Sequence, residues 1–347
     1  MLALLATGSL LLGGDVSEIP RIEDEGGRYR SYGREQDPFA LMKQAGWNWV
    51  RFRIWNEPKD GYCDKEATLR LAKRAHAQGL RISLDFHYSD WWADPGKQNK
   101  PAAWKDLPFD GLEKAVYDYT KEVVGAMIAQ GTRPYMVQVG NEVIGGMLWP
   151  DGKVSSNEPE GWKRFGRLLK SGLKAVRDAQ GEGPKIHTMI HIDRGGENNA
   201  SVWFFDHLAK QGVEFDAIGQ SYYPFWHGSL SDLRENLNDL ARRYRKDVYV
   251  VETAYPWKWD EHPGPHVYNG GKLLDGFPAT PEGQAAFVAE LKKILREVPG
   301  GRGKGLLYWA PTWITTPKDH SDYENLATFD ENGNALPAFR TLGERRL

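Results

Sequence analysis

The sequence predicts an α/β protein, a single (β/α)8 TIM barrel, on three observations. Short apolar or alternating runs recur about eight times, an amphipathic stretch follows each one, and no Ser/Pro-rich linker or compositional break divides the 347 residues. A doubly wound open sheet would use the same elements, but no G-x-G-x-x-G turn follows any of the runs. A barrel of ~250 residues with insertions also suits the length.

Taken in order, the first strand is expected over 11–16, directly after an apolar stretch at 1–12. That stretch lacks a basic leader and is too short to span a bilayer, so it is either the remnant of an export signal or the lead-in to the strand. The barrel domain is then expected over 13–347. Further strands fall at 49–55, 81–87, 136–141, 186–192, 217–222, 248–252 and 305–309. Helical periods lie between them at 38–45, 66–78, 111–130, 159–179, 200–211, 229–244 and 281–298, with a short last one after Leu336. The helix over 66–78 stops at Gly79, which suits a left-handed cap, and the Ser231 region offers an N-cap ahead of Leu233 and Leu237.

Composition narrows the function. The 45 Lys+Arg and 47 Asp+Glu give a net charge of −2, which argues against nucleic acid or an anionic membrane as the partner. No membrane span is expected. A single cysteine, Cys63, excludes an intrachain disulfide and a cysteine-based zinc site. The 14 Trp, beside 15 Tyr and 13 Phe, exceed what a core usually needs and point to exposed aromatic platforms.

In a barrel, chemistry sits at the C-terminal strand ends. There the chain places Arg51 and Arg53 on the second strand, Asp85 to Trp92 after the third, Asn141 and Glu142 after the fourth, and His191 and Asp193 on the fifth. Ser221 to His227 follow the sixth, Glu252 ends the seventh, and Trp309 and Trp313 come with the eighth. A glutamate at the tip of a buried strand costs desolvation energy unless it is paired, so Glu142 and Glu252 each need a reason. Alone, either would read as a structural ion pair. Ends four and seven face one another across a barrel mouth, and a carboxyl pair flanking a glycosidic bond is the apparatus for its hydrolysis.

Environment assigns the roles. Glu252 opposite Arg51 or Arg53 keeps its charge and acts as nucleophile; Glu142, on the aromatic side near Trp149, has a raised pKa and acts as acid/base. The Asn141 amide can bond a sugar 2-hydroxyl, and either Tyr222 or Tyr223 can orient the nucleophile. The arginines could instead be stabilising ion pairs, and which of them reaches the nucleophile is open. His87, His187 and His191 with Asp85 and Asp193 invite a metal, but no pair has metal-motif spacing, so neither metal nor other cofactor is expected.

The loop Asp85-Phe86-His87-Tyr88-Ser89-Asp90-Trp91-Trp92-Ala93-Asp94-Pro95-Gly96-Lys97-Gln98 resembles that of the endo-β-1,4-galactanases of glycoside hydrolase family 53. Val50 to Trp55, Gly140-Asn141-Glu142, Gly146 to Pro150, Ser221 to Gly228 and Glu252 to Trp257 resemble the same family, from about residue 13 to the Trp309 region. The resemblance implies a retaining barrel that cleaves internal β-1,4 links in galactan or type I arabinogalactan side chains of pectin. It implies Glu142 as acid/base and Glu252 as nucleophile, with His87, Asp90, Trp92, Asp193, Tyr222 and Trp309 beside Asn141, Arg51 and Arg53 lining sugar subsites. Two departures from the family pattern sit near subsites: Val143-Ile144-Gly145 after the acid/base, and Ala310 where the family carries Glu. The calcium site of some members is not expected, because 258–264 lacks alternating oxygen ligands.

The expected partner is therefore a neutral polysaccharide, met by a monomer that is secreted or held at the cell surface or periplasm. A mannanase-like relative and a non-catalytic carbohydrate-binding barrel are the alternatives. Trp91, Trp92, Trp104, Trp149, Trp226, Trp257, Trp309 and Trp313 are expected around the mouth.

Overall fold

The computed structural model describes residues 9–259, 273–321 and 323–343. Eight parallel strands close into a barrel: β1 (Leu11–Asp15), β2 (Trp49–Ile54), β3 (Arg81–Phe86), β4 (Met136–Val139), β5 (His187–Ile192), β6 (Ala217–Ser221), β7 (Asp247–Glu252) and β8 (Gly303–Tyr308). Each pairs with its chain neighbours, and β8 closes on β1 with Gly305 opposite Leu11. The outer layer is α1 (Ile19–Asp24), α2 (Pro38–Ala45), α3 (Lys65–Ala77), α4 (Phe109–Ala129), α5 (Pro159–Gln180), α6 (Asn198–Lys210), α7 (Leu230–Tyr244), α8 (Pro281–Arg296) and α9 (Pro337–Thr341). Among the described residues no helix is long and apolar enough to cross a membrane.

Helix ends follow local chemistry. Asp64 caps α3 through the Ala67 amide. For α7 the cap is Ser229, reciprocated by Asp232, two residues before the expected Ser231 region. β1 takes in Leu11 and Leu12, so for these two the strand reading applies; residues 1–8 lie outside the described residues. Short α1, opened by Pro20, and the antiparallel pair Arg30–Ser31 with Arg34–Glu35 were not expected, being too short to show a period.

Two apolar layers position the site. One packs the outward strand faces against the helices. The other plugs the lower barrel with Leu11, Trp49, Met136, Met189, Ala217, Tyr249, Val251 and Leu307. Because side chains alternate along a strand, the inward positions above this plug are Arg51 and Arg53 above Trp49, Gln138 above Met136, His191 above Met189 and Ser221 above Ala217. The interior thus changes from apolar to polar on the way to the mouth.

Candidate active site

Asp15, buried at the end of β1, is the base of the polar layer. Its Oδ2 accepts from Arg51 Nε at 2.9 Å, and Oδ1 accepts from Ser17 Oγ at 2.7 Å. Burial opposes its charge, yet the two guanidiniums of Arg51 and Arg53 hold Asp15 below the ordinary carboxyl range. Arg51 then reaches across the barrel to Glu252, with Nη2 to Oε1 at 2.7 Å, and faces Asp85 at 3.7 Å. Despite its burial these three carboxylates raise its pKa. Arg53 takes a different set: Asp15, Glu18 and the face of Trp92, 4.2 Å from guanidinium carbon to ring centre. Arg51 is therefore the arginine on the expected nucleophile, and Arg53 supports a tryptophan. Both are 1% exposed and lie beneath the cleft rather than in its lining.

The two glutamates meet at the mouth. β4 stops at Val139, two residues short of expectation, because Gly140 turns the chain at φ 86° and Glu142 follows in the left-handed region at φ 47°. A Cβ on Gly140 would fall 2.6 Å from Val143 Cγ1. For a non-glycine residue the Glu142 backbone is strained, the kind of cost that persists where neighbours impose it. The turn aims the Glu142 carboxyl at β6, where Ser221 Oγ donates to its Oε1 at 2.5 Å. One ligating atom each from Glu142, His191 and Glu252 fall within 4.8 Å of one another.

The electrostatics separate the pair only in part as expected. Burial pushes Glu142 well above the ordinary carboxyl range, and the charges of Glu252 and Asp193 push it further. For Glu252 burial also wins, so its pKa is raised, but Arg51 pulls against that rise by charge and hydrogen bond. Arg51 offsets burial without cancelling it. The balance of causes leaves Glu252 the more acidic of the two.

Around them runs a cleft of about 890 Å³, which takes in Asn141, Asp193, Trp92 and Trp309 beside both glutamates. Trp55, Trp91, Trp226 and Trp313 line it too. Trp226 is 70% exposed and Trp91 48%, so two platforms stand open at its rim. Trp92 stacks on Trp313 at 6.1 Å, which fixes both planes. Asn141 uses one amide hydrogen on the Ala93 carbonyl at 2.9 Å. Asp193 pairs with Arg194, while its Oδ1 is buried without a hydrogen-bond partner; burial raises its pKa to about 6.

Other expected liners lie elsewhere. Tyr222 is fully buried and donates to the Gly228 carbonyl at 3.0 Å, whereas Tyr223 lines the cleft with its hydroxyl 3.3 Å from Glu252 Oε2. Alternation past inward Ser221 turns Tyr222 outward and Tyr223 inward, so the subsite expectation moves to Tyr223. His87 Nδ1 accepts from Trp55 Nε1 and the Ala93 amide at 3.2 and 3.1 Å, and its Nε2 faces Asp85 at 3.4 Å. Asp90 accepts the Glu57 and Ala102 amides, stapling two loops. Neither lines the cleft. Trp104 packs on Tyr88 and Tyr119, and the Trp149 and Trp257 indoles bond the carbonyls of Gly145 and Glu324; these three are scaffold tryptophans. Trp55 and Ser221 were not foreseen as site residues. Period-two alternation from Arg53 and from Gly219 was the available signal.

Glu142, His191 and Glu252 have the donor chemistry for a small cation, but Ser221 Oγ already bridges His191 Nε2 at 2.8 Å and Glu142. A cation there would have to displace that hydroxyl. Of the stretch on which no calcium site is expected, 260–264 lies outside the described residues.

Known proteins share this architecture. The sequence profile described as Glycosyl hydrolase family 53 matches residues 11–342. An uncharacterized protein in the bgaB 5' region of Niallia circulans is 46% identical over 96% of this chain and 93% of its own. The arabinogalactan endo-beta-1,4-galactanase of Thermothelomyces thermophilus is 35% identical over 93% of this chain and 96% of its own. The GH53 catalytic domain of Ignisphaera aggregans superposes with a TM-score of 0.88 at 37% identity, covering 98% of this chain and 97% of that one.

Proposed function

The chain belongs to glycosyl hydrolase family 53, and from that premise we propose that this glycoside hydrolase is a retaining, endo-acting β-1,4-galactanase with Glu142 as acid/base and Glu252 as nucleophile. The single observation that carries the mechanism is carboxyl spacing. One oxygen each of Glu142 and Glu252 lie within 4.8 Å of one another, a close approach that suits the ~5–5.5 Å carboxyl separation of retaining enzymes better than the ~6.5–9.5 Å of inverting ones. Relatives named as arabinogalactan endo-beta-1,4-galactanases support the substrate class.

In the first step Glu252, charge-paired with Arg51, attacks the anomeric carbon while the raised-pKa Glu142 protonates the departing glycosidic oxygen. The glycosyl ester on Glu252 is then hydrolysed by a water that Glu142, now ionised, deprotonates. Tyr223 steadies Glu252 Oε2 while Arg51 holds Oε1. The open Trp91 and Trp226, both lining the cleft, suit the apolar faces of a bound sugar chain.

Reducing-sugar release from β-1,4-galactan, compared with mannan, xylan and β-1,3-galactan, tests the reading. Release from β-1,4-galactan is expected to dominate. A folded protein that releases nothing from it would overturn the substrate, and preference for mannan would favour the mannanase-like alternative. The same reading has a monomer working outside the cell membrane, where a polymer can be reached; light scattering and cell fractionation check these two points.

A further inference from the structure

Between the two glutamates sits a hydroxyl to which neither catalytic step assigns a role. Ser221 is fully buried at the end of β6, and its Oγ lies 2.5 Å from Glu142 Oε1, 2.8 Å from His191 Nε2 and 3.5 Å from Glu252 Oε2. A hydroxyl has one hydrogen to give. The shortest contact places it on Glu142, and the contact to His191 is then one in which Ser221 accepts.

We propose that Ser221 is a positioning residue for the acid/base: held by His191, it gives its hydrogen to Glu142 Oε1 and so leaves Oε2 as the oxygen that carries and delivers the catalytic proton. The inference rests on the assignment of Glu142 as acid/base. Ser221 keeps its own proton throughout. The proton that protonates the leaving oxygen comes from Glu142 Oε2, the C–O bond to the departing sugar breaks as the Glu252 ester forms, and water later returns a proton to Oε2.

Gln138 and Asn141 both meet His191 at Nδ1, the ring nitrogen away from Ser221. The Gln138 amide is oriented by Asp85, whose Oδ1 accepts from Nε2 at 2.5 Å, and by Arg51, which donates to Oε1 at 3.4 Å. Its second N–H meets His191 Nδ1 at 3.0 Å, Asn141 Oδ1 at 3.2 Å and the Gly140 carbonyl at 3.3 Å, His191 being the nearest. Burial, with the charge of Arg51, depresses the His191 pKa well below its ordinary value, so the ring carries one hydrogen. Nδ1 lies 3.0 Å from both Gln138 Nε2 and Asn141 Oδ1; in the proposed tautomer Nδ1 accepts from Gln138, and the hydrogen on Nε2 points to Ser221. In that tautomer the order Gln138 to His191 to Ser221 to Glu142 runs donor to acceptor at every link; the other tautomer, with Nδ1 donating to Asn141, would turn the Ser221 hydrogen toward His191. The other charged groups facing Glu142 are Glu252 on β7, Asp193 after β5 and Asp94 after β3, with the Tyr223 phenol after β6.

A donor to the ionised form lowers a carboxyl pKa, so its loss raises it. The experiment compares wild type, Ser221→Ala and Ser221→Thr, each checked for folding by thermal unfolding, with Glu142→Gln as reference. In Ser221→Ala the alkaline limb of the kcat/KM profile is expected to move up by about 1–2 units, the size of a charge-assisted hydrogen bond. At neutral pH kcat/KM on galactan falls roughly tenfold to a hundredfold, while kcat/KM on an aryl galactobioside with an activated phenol, which needs no acid, falls less than threefold. Ser221→Thr, which keeps the hydroxyl, restores the wild-type limb. An unmoved limb, or an equal loss on both substrates, overturns the positioning role. If Glu142→Gln is also as active as wild type on galactan, the acid/base assignment itself has failed; an inactive Glu142→Gln confines the failure to Ser221.

Discussion

Arg51 Nη2 lies 2.7 Å from Glu252 Oε1, so an ion pair spans the barrel from β2 to β7 beneath the cleft floor. The same guanidinium faces Asp15 and Asp85, and all four side chains are nearly solvent-free. Removing one partner from such a cluster leaves uncompensated buried charge. Arg51→Met should lower stability by about 3–5 kcal/mol in urea unfolding. It should also lower kcat roughly a hundredfold to a thousandfold, the scale of a lost electrostatic stabiliser at a reacting centre. Arg51→Lys should recover little, since a point charge cannot hold the Asp15 and Glu252 directions together.

Glu142→Gln should stabilise the protein above mildly acidic pH. The Glu142 pKa is raised well above 4.5 by burial first and by Glu252 second, so the native state binds its proton more tightly than the unfolded chain does. For a raised carboxyl, stability is fully present below the unfolded value and declines as pH rises through the folded one. The amide removes that decline. Thermal unfolding should show the variant equal to wild type near pH 4 and higher by on the order of a few degrees at pH 8. A larger difference at pH 4 than at pH 8 would contradict the sign.

Two adjacent tyrosines should separate function from scaffold. Tyr223→Phe removes the hydroxyl 3.3 Å from Glu252 and should lower kcat roughly tenfold to a hundredfold with little change in Tm. Tyr222→Phe removes only the bond to Gly228 and should cost about 1 kcal/mol of stability with kcat within about twofold. Steady-state kinetics and melting curves on both variants check the contrast.

Asp193 raises the Glu142 pKa by its charge, third after burial and Glu252. With its own pKa at about 6, it is mostly charged at neutral pH. Asp193→Asn should therefore move the alkaline limb of kcat/KM downward, on the order of one unit, the direction opposite to Ser221→Ala. A pH profile of that variant on galactan reads the shift.

The barrel and the two glutamates were legible because both rest on local pattern: eight apolar runs with polar residues at one end, and carboxylates where burial makes them costly. What was not legible depends on closure. That Arg51 rather than Arg53 meets Glu252 is decided by how far above the apolar plug each sits and which strand lies opposite. Ser221 is an ordinary residue in sequence and matters only because β4, β5 and β6 bring Glu142, His191 and the hydroxyl to one point. Tyr223 could have been read from alternation past Ser221. His87 and Asp90 carry sugar-binding chemistry by type, but loop amides and an indole already occupy them, and no single-chain pattern shows that.

The most direct measurement on the central claim is covalent trapping. A 2-deoxy-2-fluoro galactobioside with an activated phenol should react by losing that phenol and stop at the ester, because the fluorine slows its hydrolysis. Peptide mapping by mass spectrometry should place one sugar adduct on Glu252, and Glu252→Ala should take none. An adduct on Glu142, or an active enzyme whose first released sugar has the inverted anomeric configuration, would contradict the account.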